Sequence, residues 1–420
     1  MVKRSQQGLL ISAISLGTLL EWAEYTFYGY MAVLLSGLFF PENDASVALL
    51  KTYGIFAAGY LMRPLGAIVF GHIGDSIGRK KALMISLFIM GGATFTIGCL
   101  PTYQQIGVLA PFILLIMRML QGFAISGEYN GAGIFLVEKI GQKNPCLAGS
   151  WISASAAFGM VLGGIAAFAT SLPSAPLWAW RVPFLLGGTS CFVGFWLRAT
   201  ITEAKTHPPV TLPLMQVFKQ HKKSLSIVAA IAAFTGIFVY ICNIYIVAFL
   251  HQQVMLPTHH ASFFAIFGEI IVTILIPVMA WVADKTCPYR QYRWGLFLVA
   301  LGCPFIFELC ALGNYPSITL AMILYGVLNA IVCGPMVKIL YDQFPVSVRY
   351  TGVSLGWSFS AAIFCGSAPM VAQYLTNKFE WTLGPSLYVS LISIITLMMI
   401  SFLLPNPSLA TTYRLKQLTD

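Results

Sequence analysis

The sequence predicts an all-α integral membrane protein of twelve transmembrane helices, arranged as two pseudo-symmetric bundles of six. Composition is the first of three observations behind this. Of 420 residues, 58% are hydrophobic and 9% charged, with a mean hydropathy of +0.80; soluble domains run at about 45–50% apolar and roughly a quarter charged. A water-soluble enzyme cannot hide that much apolar surface, whereas a bilayer accepts it in runs of roughly 20 residues. The second observation is the set of such runs, at about 9–40, 47–72, 82–100, 109–135, 147–170, 184–200, 225–250, 260–283, 294–313, 317–340, 352–375 and 384–404. The third is where the 24 Lys and Arg fall against 14 Asp and Glu. One set of alternate loops holds Lys3, Arg4, Arg79, Lys80, Lys81, Lys139, Lys143, Arg198, Lys205, Lys219, Lys222, Lys223, Lys285, Arg290, Arg293, Lys338, Arg349, Arg414 and Lys416, while the other loops hold only Lys51, Arg181 and Lys378. By the positive-inside rule both termini are cytoplasmic, and the basic excess needs no nucleic-acid partner.

Even parity fits two cytoplasmic termini, and glycines and prolines within the runs are tolerated where membrane helices pack on neighbours. The longest polar interruption, from Thr200 to Ser224 with Pro208, Pro209, Pro213, Lys219, Lys222 and Lys223, divides the spans six and six. The expected units are therefore 1–200, a bundle; 201–224, a cytoplasmic linker; 225–404, a second bundle; and 405–420, a short tail. Two bundles joined by a long loop suit a carrier whose halves rock about a midplane site. The nine cysteines are scattered without metal-type spacing and read as small hydrophobes. The N-terminus lacks a small-residue cleavage site, so no cleaved signal peptide is expected.

Span 1 carries Glu21, Trp22, Glu24, Tyr25 and Tyr28, and Glu21, Tyr25 and Tyr28 fall at i, i+4 and i+7 on one helix stripe. That stripe is expected to line a central cavity. Span 2 carries Arg63 before Pro64. Between spans 2 and 3 lie Gly71, Gly74, Asp75, Gly78, Arg79, Lys80 and Lys81, with glycines for a tight turn, an acid to cap a helix end and a basic cluster. Span 4 carries Arg118, Gln121, Gly122, Gly127 and Glu128. Arg118 and Glu128 lie ten residues apart, about 15 Å along one axis, so each is expected to pair elsewhere: Arg118 with Glu21 or Glu24, Arg63 with Glu128. The second half offers Tyr240, Asn243 and Tyr245 on span 7, Glu269 on span 8, Tyr325 and Asn329 on span 10 and Trp357 on span 11. Asp284, followed by Lys285 and Arg290, echoes the first glycine-rich loop at the matching place of a duplicated half. Trp178, Trp180 and Trp381 are expected in an aromatic belt.

An ionisable group near the bilayer centre costs about 2.5–3.5 kcal/mol on insertion scales and so needs a partner, a wet cavity or its neutral form. Glu21, Glu24, Arg63, Arg118 and Glu128 are accordingly the candidate proton-coupling set. Tyr25, Tyr28, Arg118, Gln121, Tyr240, Asn243, Glu269, Asn329 and Trp357 are the candidate substrate-binding set.

The loop from Gly71 to Lys81 resembles the loop signature of the major facilitator superfamily, with Ser76 where the pattern has Arg. Arg118 to Ala132, Arg63-Pro64-Leu65-Gly66, Trp180 to Leu185 and Phe344 to Gly352 are similar to its metabolite:proton symporter family. Span 1 departs from that family's Glu-Trp-Tyr-Asp, with Ala23 in place of the aromatic and Glu24 in place of the shorter acid. The resemblance implies the major facilitator fold, a monomer in a bacterial inner membrane, and import of a small carboxylate or zwitterion with protons by alternating access. It also implies conformational gating by Gly71, Asp75, Gly78, Arg79, Lys80, Asp284 and Arg349. The short tail argues against osmosensing by a tail. No Walker loop, no nucleophile–base set and no metal-ligand spacing occurs, and His259-His260 lacks an acidic or thiol companion; no cofactor, metal, nucleic acid or enzymatic activity is expected. The alternatives are a proton-antiport exporter of the same fold, for a larger polycarboxylate or metal chelator, and a non-transporting receptor. The span-5 segment Gly149 to Gly164 lacks the Gly-Pro step of many antiporters, which favours symport.

Overall fold

The computed structural model describes residues 4–76, 79–125, 128–189, 213–346, 348–379 and 383–403. It is helical throughout apart from short connections, with no strand among these residues. Nine helices among them are long and apolar enough to cross a bilayer: spans 2 (Ala45–Phe70), 4 (Leu109–Ile140), 5 (Pro145–Thr170), 7 (Lys222–Gln252), 8 (Thr258–Lys285), 9 (Pro288–Ala311), 10 (Tyr315–Tyr341), 11 (Arg349–Lys378) and 12 (Gly384–Leu403). Span 3 is the helix Arg79–Cys99, apolar from Met84. Span 1 is Arg4–Tyr30, continued by Ala32–Phe39. Its two carboxylates lower its hydropathy. Span 6 is described over 181–189. All or part of each of the twelve expected spans is thus helical among the described residues.

Several spans are not single α-helices. Span 2 breaks at Met62, two residues before Pro64, whose ring nitrogen cannot donate to the Tyr60 carbonyl. Spans 7 and 11 each contain a π-helical turn, Tyr240–Tyr245 and Ala361–Cys365. Such turns are rare and occur frequently at functional sites. The linker region is described from Pro213, where a short helix, Pro213–Gln220, precedes span 7.

Small residues set how the spans meet, because apolar burial alone does not drive helices together in lipid. A Cβ on Gly122 would lie 1.7 Å from the Gly59 carbonyl oxygen, so the backbones of spans 2 and 4 touch. A Cβ on Gly159 of span 5 would lie 2.6 Å from the Leu19 oxygen of span 1, and one on Gly236 of span 7 would lie 1.9 Å from Cys365 Sγ of span 11. Span 5 lies along spans 1 and 8, and span 8 along span 10, which brings the two halves together around a central axis. Trp178 is exposed as an aromatic belt requires, but Trp180 is not: it is buried edge-on against Phe39, with ring centroids 5.7 Å apart. The belt expectation fails there because the start of span 6 folds inward onto the end of span 1. Trp381 lies outside the described residues.

The halves touch at both ends of this axis. At the end where span 1 begins, here called the basic end, Asp284 at the end of span 8 accepts from the backbone N–H of Cys146 and Leu147 at the start of span 5, both at 2.9 Å. Arg349 Nη1 donates to Glu138 Oε1 at 2.9 Å, joining spans 11 and 4, and Val337 packs against Gly149. At the far end, the Tyr60 and Tyr240 hydroxyls meet, Tyr30 donates to Asn243 Oδ1, and Ile244 packs on Gly29.

Candidate functional site

Between these two sets of contacts lies a cavity of about 70 Å³ walled by both halves. From the first half come Trp22, Arg63, Tyr129, Ser153 and Met160; from the second come Thr235, Tyr240, Glu269, Asn329, Cys333 and Trp357. The helical phase of span 1 is fixed by Gly159 against Leu19 and the Trp22 Cβ, and it turns Trp22 to the cavity. Trp22, Tyr129 and Trp357 form a run of ring contacts, with centroids 5.5 Å and 5.8 Å apart, that crosses from one half to the other. Tyr129 is steadied by Ser153, hydroxyl to hydroxyl at 3.1 Å.

Arg63 is buried in this wall. Its guanidinium carbon lies 4.1 Å from the Tyr60 ring centroid and 4.9 Å from that of Tyr25. Its Nε and Nη2 have no hydrogen-bond partner among the described residues. Glu269 is buried on the opposite wall. Its Oε2 accepts from Asn243 Nδ2 and from the Tyr325 hydroxyl at 3.2 Å, and Asn329 Nδ2 donates to that hydroxyl at 2.9 Å. Oε1 makes no hydrogen bond to the described residues. One cavity therefore presents a buried guanidinium and a buried carboxyl group that do not pair with each other.

Arg118 lies behind the cavity. It is fully buried, with its guanidinium 4.6 Å from the Tyr25 and Tyr28 ring centroids and 5.3 Å from that of Phe56. The expected ion pair with Glu21 or Glu24 is not made. Arg118 Nη1 instead donates to Gln121 Oε1 at 2.8 Å and to the Tyr25 carbonyl at 3.3 Å, because those rings surround the head before any carboxylate reaches it. Arg118 and Glu24 are joined indirectly: Gln121 Nε2 donates to Thr94 Oγ1 at 2.7 Å, and Thr94 lies 3.3 Å from Glu24 Oε2. Glu21 and Glu24 are both buried. The stripe of Glu21, Tyr25 and Tyr28 does not line the cavity; Tyr28 donates to the Thr52 carbonyl at 2.9 Å instead.

Of the expected binding residues, the cavity wall gathers Tyr240, Glu269, Asn329 and Trp357, together with Arg63. Gln121 and Arg118 lie outside it, and Asn243 touches it through Glu269. Sequence reading missed Trp22, Tyr129, Ser153 and Thr235. Trp22 and Tyr129 each adjoin a carboxylate that had been singled out, and that adjacency was the available signal. Of Gly71, Asp75, Arg79, Lys80 and Glu128 only the helical backbone is described, and Gly78 lies outside the described residues, so the Arg63–Glu128 pairing does too. Asp284 and Arg349 both bridge the halves at the basic end.

Residues 14–362 match the family model of the Major Facilitator Superfamily, and the chain belongs to that family. Its fold and cavity are those of a membrane transporter that moves small solutes without catalysing a reaction. It is 29% identical over 413 residues to a glycine betaine/proline/ectoine/pipecolic acid transporter of Dickeya dadantii, covering 92% of this chain and 81% of that protein. It is also 29% identical over 393 residues to an inner membrane metabolite transport protein of Escherichia coli, covering 89% of each. The crystal structure of a D-xylose-proton symporter superposes with a TM-score of 0.73 at 16% identity, over 94% of this chain and 97% of that one.

Proposed function

We propose that the protein is a proton-coupled importer of a small zwitterion, working by alternating access as the units 1–200 and 225–404 rock about the cavity. The observation that carries this is the unpaired couple of Arg63 and Glu269 in one chamber. Two opposite buried charges that are close enough to share a cavity, yet separate, suit a ligand that brings the complementary pair. The ligand carboxylate takes the open N–H donors of Arg63, a charge-assisted contact roughly twice as strong as a neutral one. Its cationic pole takes Glu269 Oε1. The faces of Trp22, Tyr129 and Trp357 suit a methylated or ring-bound ammonium, for which a desolvated cation–π contact contributes about 2 kcal/mol. The solutes named for the Dickeya dadantii relative are zwitterions of this kind.

Proton coupling belongs to the first half. Glu24 is tied to Arg118 through Thr94 and Gln121, so a proton on Glu24 alters a chain that ends on the rings behind the cavity. Glu21 and Glu128 complete the proposed carboxylate set, with Asp75, Arg79, Lys80, Asp284 and Arg349 gating the basic end. The protein works as a monomer in a bacterial inner membrane with both termini cytoplasmic. The test is uptake into proteoliposomes that hold a pH-sensitive dye under an inward proton gradient, with proline, glycine betaine and pipecolate set against di- and tricarboxylates and shikimate-like acids. Internal acidification with zwitterions supports the reading. Alkalinisation would make the protein an exporter, and acidification with polycarboxylates alone would remove the role given to Glu269.

A further inference from the structure

At the far end, the contact that closes the halves is wired directly to the cavity carboxylate. Asn243 uses both ends of its amide: Nδ2 donates to Glu269 Oε2, and Oδ1 accepts from the Tyr30 hydroxyl of span 1. All three side chains are buried, so no solvent replaces a lost partner and each bond depends on the others. An ionised carboxylate only accepts, which forces the amide to present its NH₂ to Glu269 and hence its oxygen to Tyr30. Asn243 also belongs to the π-helical turn Tyr240–Tyr245, which meets the first half at Tyr60 through Tyr240 and at Gly29 through Ile244. A displacement of this turn therefore loosens the far-end contacts together.

We propose that Asn243 is a positioning residue that makes far-end closure depend on the state of Glu269, an inference that rests on the reading of Glu269 as a ligand-binding group of the cavity. While Glu269 is charged and Oε1 is empty, Oε2 holds Asn243 and Asn243 holds Tyr30. When Oε1 takes a proton, Oε2 becomes a weaker acceptor, Asn243 is released, and span 1 parts from span 7, which opens the far end to incoming solute. The cationic pole of a ligand at Oε1 instead favours the ionised carboxylate, so Oε2 keeps Asn243 and the far end stays closed over the bound solute.

The experiment uses full-length protein in nanodiscs, in a cysteine-free background, with a reporter at Ile244→Cys for the far end and, separately, at Val337→Cys for the basic end. Labelling by a hydrophilic maleimide is followed in Glu269→Gln, Tyr30→Phe and the double variant. Glu269→Gln is expected to raise the Ile244→Cys labelling rate about tenfold, the scale of a lost charge-assisted hydrogen bond, without raising labelling at Val337→Cys. Tyr30→Phe, which removes one hydroxyl and leaves the Asn243–Glu269 bond intact, is expected to give a similar rise. In its background Glu269→Gln then adds nothing. Asn243→Gln, which keeps an amide, is expected to restore part of the dependence that Asn243→Leu abolishes.

An unchanged rate in Glu269→Gln, or the same factor with and without the Tyr30 hydroxyl, would overturn the proposal. Where Glu269→Gln is not recovered folded, Glu269→Asp withdraws the acceptor by one methylene and serves the same comparison. Uptake assays on the same variants separate the two readings: coupling in labelling with normal zwitterion uptake removes the transport role of Glu269 and leaves the relay. Impaired uptake with additive labelling does the reverse.

Discussion

In the first half, the buried cations Arg63 and Arg118 rest on the faces of Tyr25, Tyr28, Phe56 and Tyr60. In the second, the buried carboxyl of Glu269 is held by an amide and a phenol hydroxyl. Placing an arginine at the bilayer centre costs about 2.5–3.5 kcal/mol, and ring faces at up to about 2 kcal/mol each offset it. Rings stabilise the charge without occupying its N–H donors. Hydrogen-bond donors to a carboxylate do occupy its lone pairs, and Glu269 keeps only Oε1 open. The first half thus offers a cation with spare directional capacity, and the second offers a carboxyl group one of whose oxygens is tied, through Asn243, to the far-end contact.

Breaking the cation side should have the largest effect. Arg63→Gln is expected to lower kcat/KM for zwitterion uptake by a hundredfold or more, since a buried donor pair is lost and the ligand carboxylate is left unpaired, a penalty of about 3 kcal/mol. Arg63→Lys should recover little of it, because an ammonium does not lie on the Tyr60 ring as a guanidinium does. Gly122→Ala would sharpen the structural half of the comparison. Its Cβ would collide with the Gly59 carbonyl, so a melting curve in detergent should show clear destabilisation, about 1–3 kcal/mol, and disturb Arg118 next to that carbonyl. For the coupling side, Glu24→Gln is expected to reduce uphill accumulation about tenfold or more while counterflow exchange survives; unaltered accumulation would remove Glu24 from the proton pathway. The smallest effect belongs to Tyr28→Phe, which loses one bond to the Thr52 carbonyl and keeps the ring under Arg118, for about 1 kcal/mol in stability and little change in uptake.

The fold class with its twelve spans was legible because hydropathy is a property of single segments, and so was the presence of Arg63, Glu269, Asn329 and Trp357 within the spans, four residues that the structure places in one cavity wall. The partners of those charges were not. Whether Trp22 or Tyr25 faces the cavity depends on the rotation of span 1, which Gly159 of span 5 decides, and no periodicity within span 1 contains that information. Arg118 was expected to find a carboxylate on general electrostatic grounds. The sequence equally contained the aromatic residues that surround it, and only the packing of spans 1, 2 and 4 selects between them. The π-helical turns were likewise invisible, since Tyr240–Tyr245 and Ala361–Cys365 have no composition that separates them from the α-helices around them.

The cap that Asp284 places on span 5 belongs to the opposite half of the molecule. Whenever the basic end parts, the amides of Cys146 and Leu147 lose that carboxylate and the positive end of the span-5 dipole is laid bare. Small anions in the surrounding solution then become competitors of Asp284, so the balance between open and closed forms at this end acquires a dependence on the identity and concentration of the anion in the buffer, chloride against sulfate or phosphate, quite apart from the solute being carried.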